Sequence, residues 1–137
     1  DLADYARHSK AWVCASETLA YTHSFREYLQ TGAAGVAMLD LSWCGGLTDI
    51  RRVATIAASH GVPVMPHRGS SLFGIHLVIA HANCPMAESF GTGEPGNELM
   101  ARFTAPFREG YYLPPDKPGL GIDLPAEVIR KYLPGLA

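Results

Sequence analysis

Apolar runs alternating with helical patterns set the rhythm of this chain. "AWVCAS" (11–16), "GVAMLD" (35–40) and "GVPVMP" (61–66) each have strand character and each precede a stretch with helical periodicity. After the first run, Phe25, Tyr28 and Leu29 fall at i, i+3 and i+4, with Thr22 as a candidate N-cap and Gly32 as the stop. After the second, Ile50, Val53, Ala54 and Ala57 form one stripe, with Thr48 as a candidate cap and Gly61 at the end. The third helix, Ser71 to about Ala82, is apolar on nearly all sides, which predicts packing beneath other elements. A fourth apolar run, "CPMAES" (84–89), reads as another strand. Beyond Phe90 the looser "GTGEPGNELMARF" and "YYLPPDKPGLGIDL" lead to a short terminal helix around "PAEVIRKYL".

Strand, helix, strand, helix predicts a parallel sheet, because successive parallel strands need a crossover helix. Two architectures satisfy that order: a doubly wound open sheet, or part of a (β/α) barrel. Full barrels typically need ~250 residues, so with about four βα units a barrel would be incomplete here. The chain also starts at Asp1 in what reads as the middle of a helix, which suggests a piece of a longer polypeptide.

Composition narrows the function. The 137 residues are 47% hydrophobic and 18% charged with a formal charge of -2, an ordinary globular balance with no basic patch for nucleic acid. The longest nearly apolar stretch, 72–82, is broken by His76 and His81 and is too short for a membrane span. The N-terminal "DLADYARHSK" has no signal-peptide pattern, so a cytoplasmic location is expected. Cys14, Cys44 and Cys84 are odd in number and form no CxxC pair, which predicts reduced thiols.

The polar residues that close the apolar runs carry the chemistry. Glu17 follows "AWVCAS", Asp40 ends "GVAMLD", His67 follows "GVPVMP" and Glu88 lies within "MAES". Each is one βα unit from the next, at the C-terminal end of an expected strand, where active sites of parallel α/β folds lie. Asp40 is the most telling, since an ionised carboxylate in an apolar run needs a partner. His67, on the adjacent expected strand, is that partner: a ring N–H donated to Asp40 leaves the other nitrogen to take a proton from a substrate. Structural readings compete at each position: a helix N-terminal acid for Glu17, a turn cap before Gly45 and Gly46 for Asp40, a loop histidine for His67, a solvated strand-end charge for Glu88. His60, His76 and His81 are read as structural, while His23, near the start of the first full helix, is a candidate to reach the pocket. Trp43 and Cys44 suit a pocket floor or buried packing, and Tyr111 and Tyr112 suit packing or an interface.

Glu17, Asp40 with "WCGGLT" after it, "VMPHRGSS", "AESF" and "KPGLGIDL" together resemble the C-terminal part of enolase-superfamily enzymes of the mandelate racemase subgroup. "WCGGLTDIRRVATIAASHGVPVMPH" and "NCPMAESF" are most similar to L-rhamnonate dehydratases. The resemblance runs from about Ala11 to Leu124. It implies an α/β fold, the C-terminal part of a (β/α)7β TIM-like barrel, with residues 1–124 as the barrel portion and 125–137 as a C-terminal helix and tail. It also implies a Mg²⁺-dependent acid-sugar dehydratase in which Glu17 is a metal ligand, His67 the general base, Asp40 its partner, and Glu88 a hydrogen-bond donor or proton source for the enediolate oxygen. The implied partners are a small sugar-acid substrate and either further copies of the chain or the rest of the barrel, with no nucleic acid and no membrane. Two alternatives stay open: a racemase or a dehydratase for another sugar acid, and a non-catalytic α/β fragment or interaction module. Thr18 stands where the resemblance leads one to expect His, and Arg68 interrupts the expected "PHGSS". With one carboxylate ligand, the isolated chain is expected to show no turnover.

Overall fold

Three parallel strands form the frame on which the candidate residues hang: β1 (Cys14–Ala15), β2 (Val36–Leu39) and β3 (Val64–Pro66), in sheet order β1-β2-β3. The computed structural model describes residues 1–69, 71–89 and 98–136. Register is set by Cys14 opposite Val36, Ala37 opposite Val64 and Leu39 opposite Pro66. Consecutive neighbours in strictly sequential order are what a barrel sector requires, and the barrel is not closed by the described residues.

Helices α1 (Leu2–His8), α2 (Tyr21–Gln30), α3 (Gly46–Ser59) and α4 (Leu72–Ala80) accompany the strands. Phe25 and Leu29 of α2 and Ile50, Val53, Ala54 and Ala57 of α3 are buried with Ala37, Leu39 and Val64 of the sheet. The predicted stripes are therefore the packing faces, and each large side chain so buried contributes about 1.5–3 kcal/mol. All four residues of β2 are buried, as expected of a parallel strand covered on both faces. Helix α4 is covered over most of its length, but its last turn leaves Ile79 exposed. Beyond it lie α5 (Glu98–Ala101), a hairpin of β4 (Phe107–Arg108) and β5 (Tyr111–Tyr112), α6 (Ala126–Tyr132) and a 3₁₀ turn at Pro134–Leu136.

Several expectations are corrected. Residues 84–89 do not form a strand: Pro85 has no N–H to give a ladder, and the Val64 N–H instead bonds the Asn83 carbonyl at 2.8 Å. Thr22 does not cap α2, which starts at Tyr21; its hydroxyl donates to Asp49 Oδ1 at 2.6 Å. Thr48 does not cap α3 either, because the chain enters that helix through Gly45 at φ +105° and Gly46 at φ +74°, conformations that favour glycine. Asp1 accepts the Asp4 N–H at 2.8 Å at the start of α1. Ser70, Phe90 and the "GTGEPGN" part of the looser region lie outside the described residues.

Two glycines bring the third strand-end loop against its neighbours. A Cβ on Gly74 of α4 would stand 2.6 Å from Gly69 Cα, and one on Gly69 would stand 2.7 Å from Ala87 Cβ. This close stack sets the segment carrying Glu88 beside the loop carrying His67 and Arg68. Gly74→Ala is expected to destabilise the chain by about 1–3 kcal/mol, since backbone must move to admit the methyl. An unchanged urea midpoint in that variant would contradict the packing.

Candidate active site

Asp40 is the first residue past β2 and is almost fully buried at 3% exposure. Its Oδ1 accepts the Ser42 N–H at 2.7 Å, an Asx turn, and its Oδ2 lies 2.6 Å from His67 Nδ1. Burial by itself would raise the Asp40 pKa. The hydrogen bonds from His67 and Ser42, with the charge of the imidazole, outweigh it and hold the carboxyl below the usual carboxylate range. The ionised form is thus favoured, and it fixes Nδ1 of His67 as the protonated nitrogen.

His67 follows β3 directly, and its own N–H bonds the Leu39 carbonyl at 2.8 Å, which ties the backbone of the two strand ends together. The other ring nitrogen, Nε2, is 3.6 Å from Glu88 Oε2. Glu88 is in turn held by the Arg68 backbone N–H, which donates to the same oxygen at 3.0 Å. Arg68 adopts φ +54°, so the loop turns sharply after His67 and aims that amide at the acid. Asp40, His67 and Glu88 therefore meet in one line, with an imidazole between two carboxylates. A cavity of about 240 Å³ opens beside them, lined by Asp40, Ser42, His67, Arg68, Phe73 and Phe103 among others.

Glu17 sits in the turn after β1 and is placed by contacts the sequence did not advertise. Ser16, at φ +97°, donates its hydroxyl to the Met38 carbonyl at 3.0 Å, and the Trp43 indole N–H donates to the Glu17 carbonyl at 2.6 Å. Trp43 is thus a clamp on the Glu17 turn and is half exposed, whereas Cys44 beside it is wholly buried in the core. The Glu17 carboxylate makes no hydrogen bond or ion pair among the described residues. The Cys14 thiol pKa is raised by burial and then by the charges of Glu88 and Glu17. Both acids therefore lie within electrostatic reach of one sulfur, at the first residue of β1.

The remaining candidates fall elsewhere. His23 faces a different cavity, with Arg26 and Arg52; His60 is the C-cap of α3; His76 Nε2 lies 3.3 Å from the Leu120 carbonyl. All three cysteines are free, and burial pushes Cys44 and Cys84 up to about 11. Tyr112 packs on Phe107 and shares a 2.6 Å hydrogen bond with Ser89. Sequence reasoning missed Ser42, the bond from the Trp43 indole to the Glu17 carbonyl, and the Arg68 amide. An Asp-x-Ser turn was readable for the first, but no sequence signal marks the other two. The Tyr28 hydroxyl is buried and has no partner among the described residues. Tyr28→Phe is therefore expected to raise stability by roughly 1 kcal/mol in urea unfolding, and a lower midpoint would show that the hydroxyl is satisfied in solution.

A Mg²⁺ ion takes about six oxygen ligands. Among the described residues no group of three or more His, Cys, Asp or Glu side chains is arranged to hold a metal ion. Glu17 offers one oxygen donor group, so these residues do not make a complete Mg²⁺ site by themselves.

Comparison with known proteins bears on this geometry. Residues 1–128 match the family model described as enolase C-terminal domain-like. An L-rhamnonate dehydratase of Saccharopolyspora erythraea is 31% identical over 112 residues, covering 77% of this chain and 28% of that enzyme. A mandelate racemase/muconate lactonizing enzyme from a marine actinobacterium, solved in complex with magnesium, superposes with a TM-score of 0.81 at 30% identity, over 96% of this chain and 37% of its own. The L-rhamnonate dehydratase of Gibberella zeae superposes with a TM-score of 0.59 at 30% identity, over 64% of this chain and 22% of its own. The chain thus spans 22% to 37% of the length of these relatives. Among the described residues no helix is long and apolar enough to cross a membrane.

Proposed function

The chain belongs to the enolase C-terminal domain-like family, and from that premise we propose that it supplies the proton-transfer residues of an acid-sugar dehydratase of the L-rhamnonate type. The observation that carries this reading is the His67 imidazole fixed between Asp40 and Glu88 at the ends of parallel strands. The proton α to a carboxylate is very weakly acidic, so its removal needs a base working near neutral pH and stabilisation of the enediolate that forms.

His67 Nε2 takes the α-proton, and Asp40 stabilises the imidazolium through Nδ1–H. Glu88, steadied by the Arg68 amide, donates a hydrogen bond to the enediolate oxygen when it carries the carboxyl proton. The imidazolium then returns its proton to the departing 3-hydroxyl, which leaves as water, and the enol product tautomerises to a 2-keto-3-deoxy sugar acid. Glu17 would contribute one carboxylate to a Mg²⁺ ion whose other ligands come from outside the described residues, and such an ion would supply positive charge to the enediolate. Activity accordingly requires association with the rest of a barrel, and the isolated chain turns nothing over. We place the assembled protein in the cytoplasm, with a small sugar acid as its substrate.

The test is a chimera in which residues 1–128 replace the matching segment of the Saccharopolyspora enzyme, screened with sugar acids for 2-keto acid formation. L-rhamnonate or a close epimer is expected to react. A folded chimera that makes no 2-keto acid would overturn the dehydratase reading; epimerisation alone would install the racemase reading, which the mandelate racemase names among the structural neighbours favour.

A further inference from the structure

A second cavity, of about 520 Å³, lies between the first turns of α2 and α3 and shares no residue with the one beside His67. Tyr21, Thr22, His23, Arg26, Asp49 and Arg52 line it. Its only acid is already engaged: Asp49 Oδ1 accepts the Thr22 hydroxyl at 2.6 Å and lies 3.5 Å from Arg52. Arg26 has no ion pair among the described residues, so two guanidinium groups face one committed carboxylate and the cavity keeps a net positive character.

The wall opposite is built at a conformational cost. Tyr21 adopts φ +63°, a left-handed conformation that a bulky side chain rarely takes and that costs on the order of 1–3 kcal/mol. Its N–H bonds the Cys44 carbonyl at 3.0 Å, and its ring stacks on His23 with planes 12° apart. The strained turn thus sets Tyr21 and His23 in the same lining as the two arginines. Planar guanidinium forks bind multi-oxygen anions through paired, charge-assisted hydrogen bonds, and Tyr and His add single donors.

We propose that this cavity is a binding site for a compact oxyanion, a phosphate or a carboxylate group, held by Arg26 and Arg52 with Tyr21 and His23 completing the donor set. The inference stands independently of the dehydratase reading, because it uses none of Glu17, Asp40, His67 or Glu88.

The full 137-residue chain, isotopically labelled, is titrated with inorganic phosphate and separately with malonate at constant ionic strength while amide and side-chain resonances are followed by NMR. Saturable shifts of Tyr21, His23 and both guanidinium groups are expected with at least one anion, and the tighter of the two identifies the ligand as phosphate or carboxylate. Arg26→Gln and Arg52→Gln should each weaken that binding about tenfold, as loss of a charge-assisted hydrogen bond does. Arg51→Gln, which removes the same charge from α3 outside the cavity, should leave it unchanged. Shifts that never saturate with either anion would overturn the proposal. So would an equal loss in the Arg51 variant, which would mark diffuse attraction to a basic surface.

Discussion

Replacing His67 by asparagine is expected to lower α-proton exchange by about 10²–10⁴-fold, the usual contribution of a positioned general base. Asparagine can still donate to Asp40, so the fold around the dyad is retained, but it offers no nitrogen able to accept a proton at neutral pH. Only the transfer itself is removed. The experiment follows washout of the α-hydrogen of a sugar acid in D₂O by NMR, in the chimera and in its His67→Asn counterpart. Because exchange reports proton abstraction without requiring loss of the 3-hydroxyl, it applies to dehydratase and racemase outcomes alike. Near-normal exchange in the variant would take the base role from His67 and give it to a residue elsewhere.

The second large effect is on stability and its dependence on pH. Asp40 is held below the ordinary carboxylate range in the folded chain, against about 3.9 unfolded. A carboxyl whose folded pKa is depressed stabilises the fold above its unfolded pKa, and that contribution is lost as pH falls through the folded value. Asp40→Asn abolishes this term and leaves His67 Nδ1–H and the Ser42 N–H with a weaker, uncharged acceptor, at a cost of roughly 1–3 kcal/mol near neutrality. The gap between the two proteins should shrink as pH falls below about 4, where the Asp40 carboxyl takes up its proton. Urea midpoints measured from pH 3 to 7 give the gap directly. A gap that does not shrink between about pH 4 and pH 3 would mean that Asp40 is not held below the ordinary carboxylate range, contrary to the hydrogen bonds it accepts.

How much of this was legible in the sequence depends on which physical force fixes each feature. Strands β1 to β3 and the stripes of α2 and α3 were readable because burial writes itself as periodicity: Ile50, Val53, Ala54 and Ala57 are all fully covered. The run at 84–89 misled because its apolar character is real while Pro85 denies it a ladder. Helix starts were misplaced for a different reason. Threonine hydroxyls advertise caps, but Gly45 supplied the backbone turn into α3 and Thr22 spent its hydroxyl on Asp49. The Asp40–His67 pair was legible because a buried acid in an apolar run demands a partner, and the adjacent run ended on one. The clamps on Glu17 and Glu88 were not, since an indole on a carbonyl and a main-chain amide on a carboxylate follow from loop geometry rather than from residue type.

Everything proposed for the site rests on an imidazole whose Nδ1 belongs to Asp40 and whose Nε2 faces Glu88 and the substrate. The most direct measurement is the imidazole ¹⁵N spectrum of His67 in the 137-residue chain, recorded beside Asp40→Ala. The account predicts that His67 Nδ1 bears a proton, in a strong hydrogen bond that disappears with the Asp40 carboxylate. An Nδ1 without a proton, or a spectrum indifferent to Asp40, would contradict it.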